Sequence, residues 1–470
     1  MSGFKRSLSL NTTIALVVGG VIGSGIFMKP ALMASQLGSP LLLISVWIVA
    51  GIITLFGALS NAEVAAMFPE TGGQYVFFKK MYGDAFAFLY GWAAFSVFNT
   101  AGNASIAYVF SQYTNYFVEL PHFSAAIEKN ISIHIPLVGN IFPLENFGVK
   151  MLTVILILIL TAVNYLSVAY GGALQRVLTA LKAIAIVLLI TGILFSGKGS
   201  MHNIVSSMPS MPHGWDLIGA YMAAIAGAFW AYDGWNNITF VAGEIKDPQK
   251  NIPKSLFFGL SFCIIIYVLV NLAYIYVLPI DKMAVSNFVA SDSATVTWGL
   301  IGGGIIAAMV ILSTLGAANS NVLATARVTY AMSEENRLFA WAGKPQKKYN
   351  TPGNALVLNA VWTIILIMSG SFDMLTEMLI FVSWFFYGMS GLGVFLLRKK
   401  MHDVPRIYKV WGYPIVPLFF VAFVAFFLCS TLYTDISNYR NGTTPLINSL
   451  LGTIITCIGI PIYYLSKKKS

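Results

Sequence analysis

Apolar segments recur along the whole chain, and each is long enough to cross a lipid bilayer. Hydrophobic residues make up 57% of the 470 residues and charged residues only 10%, which is more apolar surface than a soluble domain can bury. We therefore predict an all-α integral membrane protein with twelve transmembrane helices. The predicted spans are 10–35, 40–66, 84–117, 148–168, 172–196, 215–243, 255–279, 297–332, 354–370, 374–397, 412–433 and 445–465.

Lysine and arginine are divided unevenly between the two sides of the predicted membrane. With the N-terminus inside, twenty-one of them fall on the inner side and six on the outer side. This bias follows the positive-inside rule and predicts a multi-pass protein of the cell membrane with both termini cytoplasmic. Because these basic loops then face anionic membrane lipid, the net charge of +10 requires no nucleic-acid partner.

The residue types that carry catalysis form no recognisable pattern. All five histidines fall in predicted loops without an HExxH motif, and the chain contains no GxSxG motif. Cys263, Cys429 and Cys457 lie in predicted spans, and the outer loop at 118–147 contains no cysteine. The sequence therefore argues against an enzyme. It predicts no cofactor, no metal site and no disulfide-linked partner chain.

The first predicted span contains the glycine-rich stretch GGVIGSGIF at residues 19–27. Glycine weakens a helix by ~1 kcal/mol relative to alanine. Gly19 and Gly23 have the small-xxx-small spacing that is typical of close helix packing. Packing does not account for Ser24 and Gly25 as well. We therefore predict that the helix is interrupted here, near the middle of the bilayer.

A second interruption is predicted in the sixth span, where FWAYDGWNN covers residues 229–237. Paired breaks in corresponding spans are typical of transporters built from inverted repeats, with the substrate site between the breaks. The spacing predicts two five-span repeats at 10–196 and 215–397, followed by two further helices at 412–465. The whole chain, 1–470, is then one transporter domain.

Two broken helices at mid-membrane depth offer free backbone groups of both polarities. The candidate carboxylate ligands are the amides at the start of the second half-helix, Ser24, Gly25 and Ile26. The candidate ammonium ligands are the carbonyls around Val21, Trp230 and Ala231. An amino acid carries both charges on one carbon, so this arrangement predicts a zwitterionic amino acid as the substrate.

Lys182 is predicted to lie about ten residues into the fifth span, ~15 Å from its end. A lysine this deep costs at least about 2.5–3.5 kcal/mol, which makes it a functional candidate. Its ammonium could bind the carbonyls freed by the first break and a hydroxyl of Ser313 or Thr314, as a fixed cation in place of a metal ion. It could instead carry a transported proton, because burial disfavours the charged form, or it could pair for structural reasons alone.

Two acidic residues in the spans have open roles. Asp233 could face the substrate path, pair with a cation or cap a half-helix, and a capping or polar-cavity role is favoured. Glu63 lies close to the inner end of the second span and is expected at the membrane interface.

The motifs GSGIF, FWAYDGWNN and AGEIKDPQKNIPKSL resemble the amino acid–polyamine–organocation (APC) superfamily. LQRVLTALK and GAANSNVLATARVTYAMSEENRLF extend the resemblance over nearly the whole chain. The chain is most similar to the L-type amino acid transporter branch, near the bacterial serine/threonine exchangers, which implies a bacterial inner membrane. The resemblance implies a LeuT-like fold with a five-plus-five inverted repeat. It also implies sodium-independent exchange of small neutral L-amino acids such as serine, threonine or alanine.

The resemblance also assigns backbone and gating roles around the two breaks. The carboxylate-binding turn of the family falls on Ser24 and Gly25, and its amine-binding carbonyls fall on Val21, Trp230 and Asp233. The aromatic gate of the sixth helix falls on Trp230. Because this position is often phenylalanine in the family, the larger indole is expected to reduce the pocket.

Further residues receive roles from the same resemblance. The lysine that replaces sodium in relatives falls on Lys182, with Ser313 as its hydroxyl partner. Asn237 stands where human-type members carry an aromatic residue, which favours smaller or more polar substrates. Asn103 and Trp384 are expected to line the pocket. The alternatives are a proton-coupled symporter that uses Lys182, and a membrane-embedded sensor or enzyme.

Overall fold

A computed structural model describes residues 6–70, 72–166, 169–334, 339–346, 348–349 and 351–467. Helices account for most of the described chain. The elements of the first half are α1 (Leu10–Val21), α2 (Gly25–Leu37), α3 (Pro40–Met67), α4 (Gln74–Tyr82), α5 (Asp84–Ala93), a π-helical turn (Ala94–Phe98), α6 (Asn99–Thr114), α7 (Ala125–Asn130), β1 (Ile133–Ile135), β2 (Gly139–Ile141), α8 (Phe147–Leu166), α9 (Ala169–Leu194) and α10 (His202–Val205).

The second half continues the same architecture. Its elements are α11 (Gly214–Tyr232), a 3₁₀ helix (Trp235–Glu244), α12 (Pro248–Val277), α13 (Ile280–Ala284), α14 (Val289–Glu334), a 3₁₀ turn (Ala340–Gly343), α15 (Gly353–Ser369), α16 (Phe372–Lys400), α17 (Ile415–Arg440), α18 (Asn448–Cys457) and α19 (Gly459–Lys467). The order of long helices follows the order of the predicted spans.

Seven described helical segments are long and apolar enough to cross a membrane, and the bent pair α1–α2 makes an eighth. The protein is therefore a multi-pass membrane protein. The predicted fifth and ninth spans coincide with shorter apolar helices, Lys182–Leu194 and Gly353–Ser369. The predicted third and sixth spans are helical, as α5–α6 and α11, but lie outside the apolar set. The full number of twelve spans stays a prediction.

The predicted outer loop at 118–147 contains a small β-hairpin, so the all-α prediction holds for the spans and not for this loop. β1 and β2 pair in antiparallel fashion, with Ile133 opposite Ile141. The amide of Asn140 donates to the carbonyl of Pro445 at 2.8 Å, and the amide of Ile447 donates to the carbonyl of Val138 at 2.9 Å. The hairpin is thereby fixed to the connection between α17 and α18.

Backbone contacts between distant segments define the two faces of the protein. Leu8, just before α1, forms a parallel bridge with Ile245, just after the 3₁₀ helix that follows α11. We call the side on which these residues lie the N-terminal face. At the other end of the bent span, the carbonyl of Gly38 accepts a hydrogen bond from the amide of Met208 at 2.7 Å. We call that side the opposite face.

Glu63 lies four residues before the end of α3 at Met67, and its place at the membrane interface stays a prediction. Its side chain is 1% exposed, and Arg398 binds both of its carboxylate oxygens, at 2.8 and 2.7 Å. The amide of Val410 donates to the same carboxylate at 2.7 Å, and Arg406 lies 3.4 Å from it. Burial is tolerated because the charge is paired on several sides. The cluster joins α3 and α16 to the loop that precedes α17.

Candidate functional site

The first span is broken where the sequence predicted. α1 ends at Val21, α2 begins at Gly25, and the two helices meet at an angle of 45°. The side chain of Ser24 makes no capping hydrogen bond. The first N–H groups of α2 therefore have no partner in the helix or in the cap side chain. A helix start of this kind attracts a negative charge such as a carboxylate.

The sixth span is broken at nearly the predicted place. α11 ends at Tyr232, and the 3₁₀ helix begins at Trp235. Gly234 connects them with a φ of +96°, a left-handed conformation that favours glycine. Asp233 is the C-cap of α11 and has extended backbone angles. Both predicted interruptions are thus present in the described chain.

The two breaks pack against each other through glycine. A Cβ atom on Gly25 would lie 2.6 Å from the Cα of Ala231, and a Cβ on Gly20 would lie 3.2 Å from the carbonyl oxygen of Gly234. A Cβ on Gly19 would meet nothing within 4 Å. The close approach therefore depends on Gly20 and Gly25. The packing role predicted for Gly19 is wrong.

Tyr267 on α12 links the two breaks and was missed by the sequence analysis. Its hydroxyl lies 2.9 Å from the carbonyl oxygen of Val21 and 2.9 Å from that of Ala231. Both oxygens are predicted ammonium ligands, and a carbonyl oxygen has two lone pairs, so each retains room for a second donor. The only sequence signal is a tyrosine inside the apolar run CIIIYVLVN, which by itself indicates no partner.

Lys182 reaches the first break, as predicted. Its Nζ donates to the carbonyl oxygen of Ile22 and lies 3.4 Å from that of Gly19. The predicted hydroxyl partner is not engaged: among the described residues, neither Ser313 nor Thr314 hydrogen-bonds to the lysine. Ser313 does lie in the same cavity wall as Lys182. The carbonyl contacts are therefore present, whereas the hydroxyl contact stays a prediction.

A cavity of about 710 Å³ lies between the breaks and the helices that face them. Most of the predicted site residues line it, namely Val21, Ser24, Gly25, Lys182, Trp230, Ala231, Asp233, Asn237 and Ser313. A concave space of this size with a few converging polar groups is typical of a small-molecule site.

Besides Thr314, three predicted site residues do not line this cavity. Ile26 is fully buried at 0% exposure, so only its backbone amide belongs to the break. Trp384 stacks on Phe229 with ring centroids 3.4 Å apart and is 2% exposed, so it packs behind the wall instead of lining the pocket as predicted. Asn103, also 2% exposed, lies behind Asn321, which does line the cavity. Sequence spacing gives the depth of these residues but not their direction.

Asp233 faces the cavity and is held by a tyrosine from another helix. Its Oδ1 accepts a hydrogen bond of 2.7 Å from the hydroxyl of Tyr387, on α16. Tyr387 lines the same cavity, and its ring packs 5.0 Å from that of Trp235. Of the roles considered for Asp233, this placement matches the polar-cavity role. It leaves carboxylate lone pairs for a further donor.

The cavity extends toward the N-terminal face. Its lining reaches Thr12 near the start of α1 and Phe240 in the 3₁₀ helix, close to the bridge between Leu8 and Ile245. The predicted binding groups at the two breaks lie at the deep end of this cavity, away from the N-terminal face. A ligand at the breaks could therefore enter and leave through the N-terminal face.

Toward the opposite face the cavity is covered by aromatic and charged side chains. Trp230 is 9% exposed and packs edge-to-face on Phe372, with ring centroids 5.1 Å apart. The ammonium of Lys29 lies 4.6 Å from the centre of the Phe372 ring and 2.7 Å from Oδ1 of Asp373. The predicted gate residue Trp230 thus belongs to a closed layer that includes an ion pair.

The chain matches known proteins over nearly its whole length. A family model described as amino acid permease matches residues 8–459. The serine/threonine exchanger SteT of Bacillus subtilis is 30% identical over 473 residues, covering 100% of this chain and 98% of that protein. The human large neutral amino acids transporter small subunit 2 is 31% identical over 466 residues, covering 98% and 80%. The human cystine/glutamate transporter is 29% identical over 464 residues, covering 98% and 85%.

These relatives are transporters, and the match extends over both broken helices and nearly every span. The chain belongs to the amino acid permease family, on the L-type branch of the APC superfamily, and is an amino acid transporter rather than an enzyme.

Proposed function

We propose that the protein is a sodium-independent exchanger of small neutral L-amino acids such as serine, threonine or alanine. The contact of the Lys182 ammonium with the carbonyls of Ile22 and Gly19 carries this proposal. A fixed ammonium supplies at the first break the positive charge that a bound cation would otherwise supply. Substrate binding then requires no sodium ion.

Backbone groups at the breaks bind the part that all amino acids share. The amides of Ser24 and Gly25 receive the carboxylate, and the carbonyls of Val21 and Ala231 receive the ammonium, with the Asp233 carboxylate nearby in the same cavity. This division supports a zwitterionic substrate because each charge meets the opposite end of a half-helix.

Three observations support a small neutral side chain. The indole of Trp230 occupies the roof of the cavity, and the polar Asn237 lies in its wall. A relative that spans the whole chain is named for the exchange of serine and threonine. Other relatives are named for large neutral amino acids or for cystine and glutamate, so the preference follows from the side chains in the wall rather than from the fold.

Transport proceeds by alternating access. The excess of lysine and arginine assigns the N-terminal face and both termini to the cytoplasm, so the described state faces inward. Two inverted repeats at 10–196 and 215–397 form the transporter, with 412–465 appended. Spans one, two, six and seven rock against spans three, four, eight and nine, and Trp230 closes over the substrate from outside. The transporter lies in membrane lipid, and we expect no disulfide-linked partner chain, since 118–147 contains no cysteine.

Counterflow in proteoliposomes tests the proposal. In sodium-free buffer, vesicles loaded with unlabelled serine, threonine or alanine take up labelled serine, and empty vesicles do not. Equal uptake into empty vesicles contradicts exchange. If that uptake requires an inward proton gradient, it favours the second candidate, a symporter in which Lys182 carries the proton. The observation behind this candidate is that Lys182 lies in the cavity wall. Binding without flux indicates a sensor.

A further inference from the structure

The cavity wall formed by α6, α14 and α16 contains an asparagine, Asn321, whose side chain is hydrogen-bonded to a buried residue outside the cavity. Asn321, on α14, lines the cavity. The same wall contains Gly102, Ala317 and Leu379, which are small or apolar, and the polar residues Asn99, Ser313 and Ser320. A polar carboxamide in such a wall is a candidate for recognising one polar atom of a ligand.

The orientation of the Asn321 carboxamide follows from its partners. Its Nδ2 donates to Oδ1 of Asn103 at 2.9 Å. The Nδ2 of Asn103 in turn donates to the hydroxyl of Thr325 at 3.0 Å, and that hydroxyl gives its own proton to the carbonyl of Val322 at 3.3 Å. Because Thr325 accepts from Asn103, the oxygen of Asn103 must face Asn321 and accept from it.

This relay leaves the Oδ1 of Asn321 as an acceptor at the cavity. Among the described residues no donor binds that oxygen. Asn103 and Thr325 are 2% and 4% exposed, so the support behind Asn321 is closed to solvent. Asn359, on α15, approaches the hydroxyl of Thr325 at 3.5 Å and extends the support to a further helix. A carboxamide fixed in this way presents an acceptor of defined direction.

The wall that contains Asn321 lines the same cavity as the two breaks. A substrate side chain that points away from α1, α2 and α11 would therefore meet the residues of α6, α14 and α16. We propose that Asn321 accepts a hydrogen bond from the hydroxyl of serine or threonine, and that it makes hydroxyl amino acids preferred over apolar ones of equal size. Asn103 acts as the positioning residue. The proposal rests on the proposed function and names the determinant of its substrate preference.

Gly102 lies beside the carboxamide of Asn321. A Cβ on Gly102 would lie 3.5 Å from Nδ2 of Asn321 and 3.6 Å from Leu379, which are ordinary contacts. Gly102→Ala is therefore expected to fit without moving the carboxamide and to reduce the room beside it. This variant is a matched size control, in which threonine should lose more affinity than serine while the preference for a hydroxyl remains.

The test compares serine with 2-aminobutyrate, which has a methyl group in place of the hydroxyl. Both compete against labelled alanine in counterflow with the full-length protein. We expect the wild-type protein to bind serine about three- to tenfold more tightly than 2-aminobutyrate, the range of one hydrogen bond. In Asn321→Leu this ratio falls to about one, with 2-aminobutyrate unchanged. Asn103→Leu is expected to reduce the ratio in part, because the carboxamide loses its support.

Two results overturn the proposal. The first is an equal affinity of the wild-type protein for serine and 2-aminobutyrate, a measurement that needs no variant and therefore stands even if Asn321→Leu does not fold. The second is an equal loss of both ligands in Asn321→Leu, which would place Asn321 against the shared zwitterionic part. A wild-type protein that exchanges no amino acid at all is a different outcome and contradicts the proposed function itself.

Discussion

The Nζ of Lys29 lies 2.7 Å from Oδ1 of Asp373, and the lysine side chain is only 2% exposed. The same ammonium binds the hydroxyl of Thr376 at 2.8 Å and faces the rings of Phe372 and Trp230. The ion pair joins the second half of the broken first span to α16 on the opposite face. Breaking it would uncover the cavity on that face.

We therefore predict that Asp373→Asn shifts the protein toward a state open on the opposite face. Removing one partner of a pair whose other member is buried favours the state in which that member becomes hydrated. The measurement is labelling of a cysteine at Thr376, in a background without Cys263, Cys429 and Cys457, by a membrane-impermeant maleimide. Labelling should be several-fold faster than without the Asp373 change.

Asp84→Asn serves as the matched control for this ion pair. Asp84 pairs with Lys79 at 3.3 Å, and both side chains are about half exposed, at 49% and 45%. Such pairs contribute about 0–1 kcal/mol. Labelling at the Thr376 cysteine should therefore stay unchanged in Asp84→Asn. An equal response to both substitutions would show that Lys29 and Asp373 do not hold the face closed.

The second prediction concerns the fixed cation. Lys182→Ala removes a charged donor from the carbonyls of Ile22 and Gly19, and such hydrogen bonds are worth about 1.5–3 kcal/mol. Turnover in counterflow should fall about tenfold or more while the protein still inserts. The exposed Lys129→Ala is the control and should transport normally. A turnover in Lys182→Ala equal to that of the wild-type protein would contradict the role of Lys182 as a fixed cation.

The third prediction separates two neighbouring glycines. Gly25→Ala forces a Cβ to within 2.6 Å of Ala231 and should destabilise the protein by about 1–3 kcal/mol, as overpacking does. Gly19→Ala meets nothing within 4 Å and should not lower the melting temperature. Thermal unfolding in detergent, followed by size-exclusion chromatography, distinguishes them. Equal melting temperatures for the two variants would contradict the packing of the breaks.

The fourth prediction concerns the roof of the cavity. Trp230→Ala removes the edge-to-face contact with Phe372, and aromatic pairs of this kind contribute about 0.5–1.5 kcal/mol beyond their buried area. The apparent affinity for serine should weaken several-fold. Trp215, which is 86% exposed, provides the control Trp215→Ala. If the apparent affinity of Trp230→Ala equals that of the control, the tryptophan does not close over substrate.

The fifth prediction concerns stability at the N-terminal face. Glu63→Gln leaves Arg398 and Arg406 without the carboxylate that both contact, and breaking a buried pair costs about 3–5 kcal/mol. The melting temperature should drop markedly. Glu119→Gln, at a side chain 87% exposed, should not change it. A small effect in both would mean that the cluster around Glu63 is not a structural junction.

The breaks in the first and sixth spans and the depth of Lys182 could be predicted from the sequence, because both depend on position along a helix. Glycine, serine and aspartate inside apolar runs mark where helices stop, and counting residues gives depth at about 1.5 Å per residue. The structure confirms the breaks at Ile22–Ser24 and at Asp233–Gly234 and the reach of Lys182 to the first break.

The sequence did not predict which side of a helix each side chain faces. One residue rotates a helix by roughly 100°, so a packing role at Gly19 and one at Gly20 involve different faces of α1. The same limit explains why Trp384 and Asn103 lie behind the wall while Asn321 lines it. Contacts such as Glu63 with Arg398 join residues more than three hundred positions apart. They arise from helix packing, which a single sequence does not encode locally.

The hydroxyl of Tyr267 carries one hydrogen and faces two acceptors, the oxygens of Val21 and Ala231. An unoccupied site is therefore short of donors, whereas an ammonium brings three. Under the proposed function, the loaded protein meets this demand and the empty one does not. Without a bound amino acid, these two carbonyl oxygens would share a single donor while the carrier passes through its closed state. This cost disfavours the return of an empty carrier across the membrane. It is a physical reason for the carrier to exchange one amino acid for another.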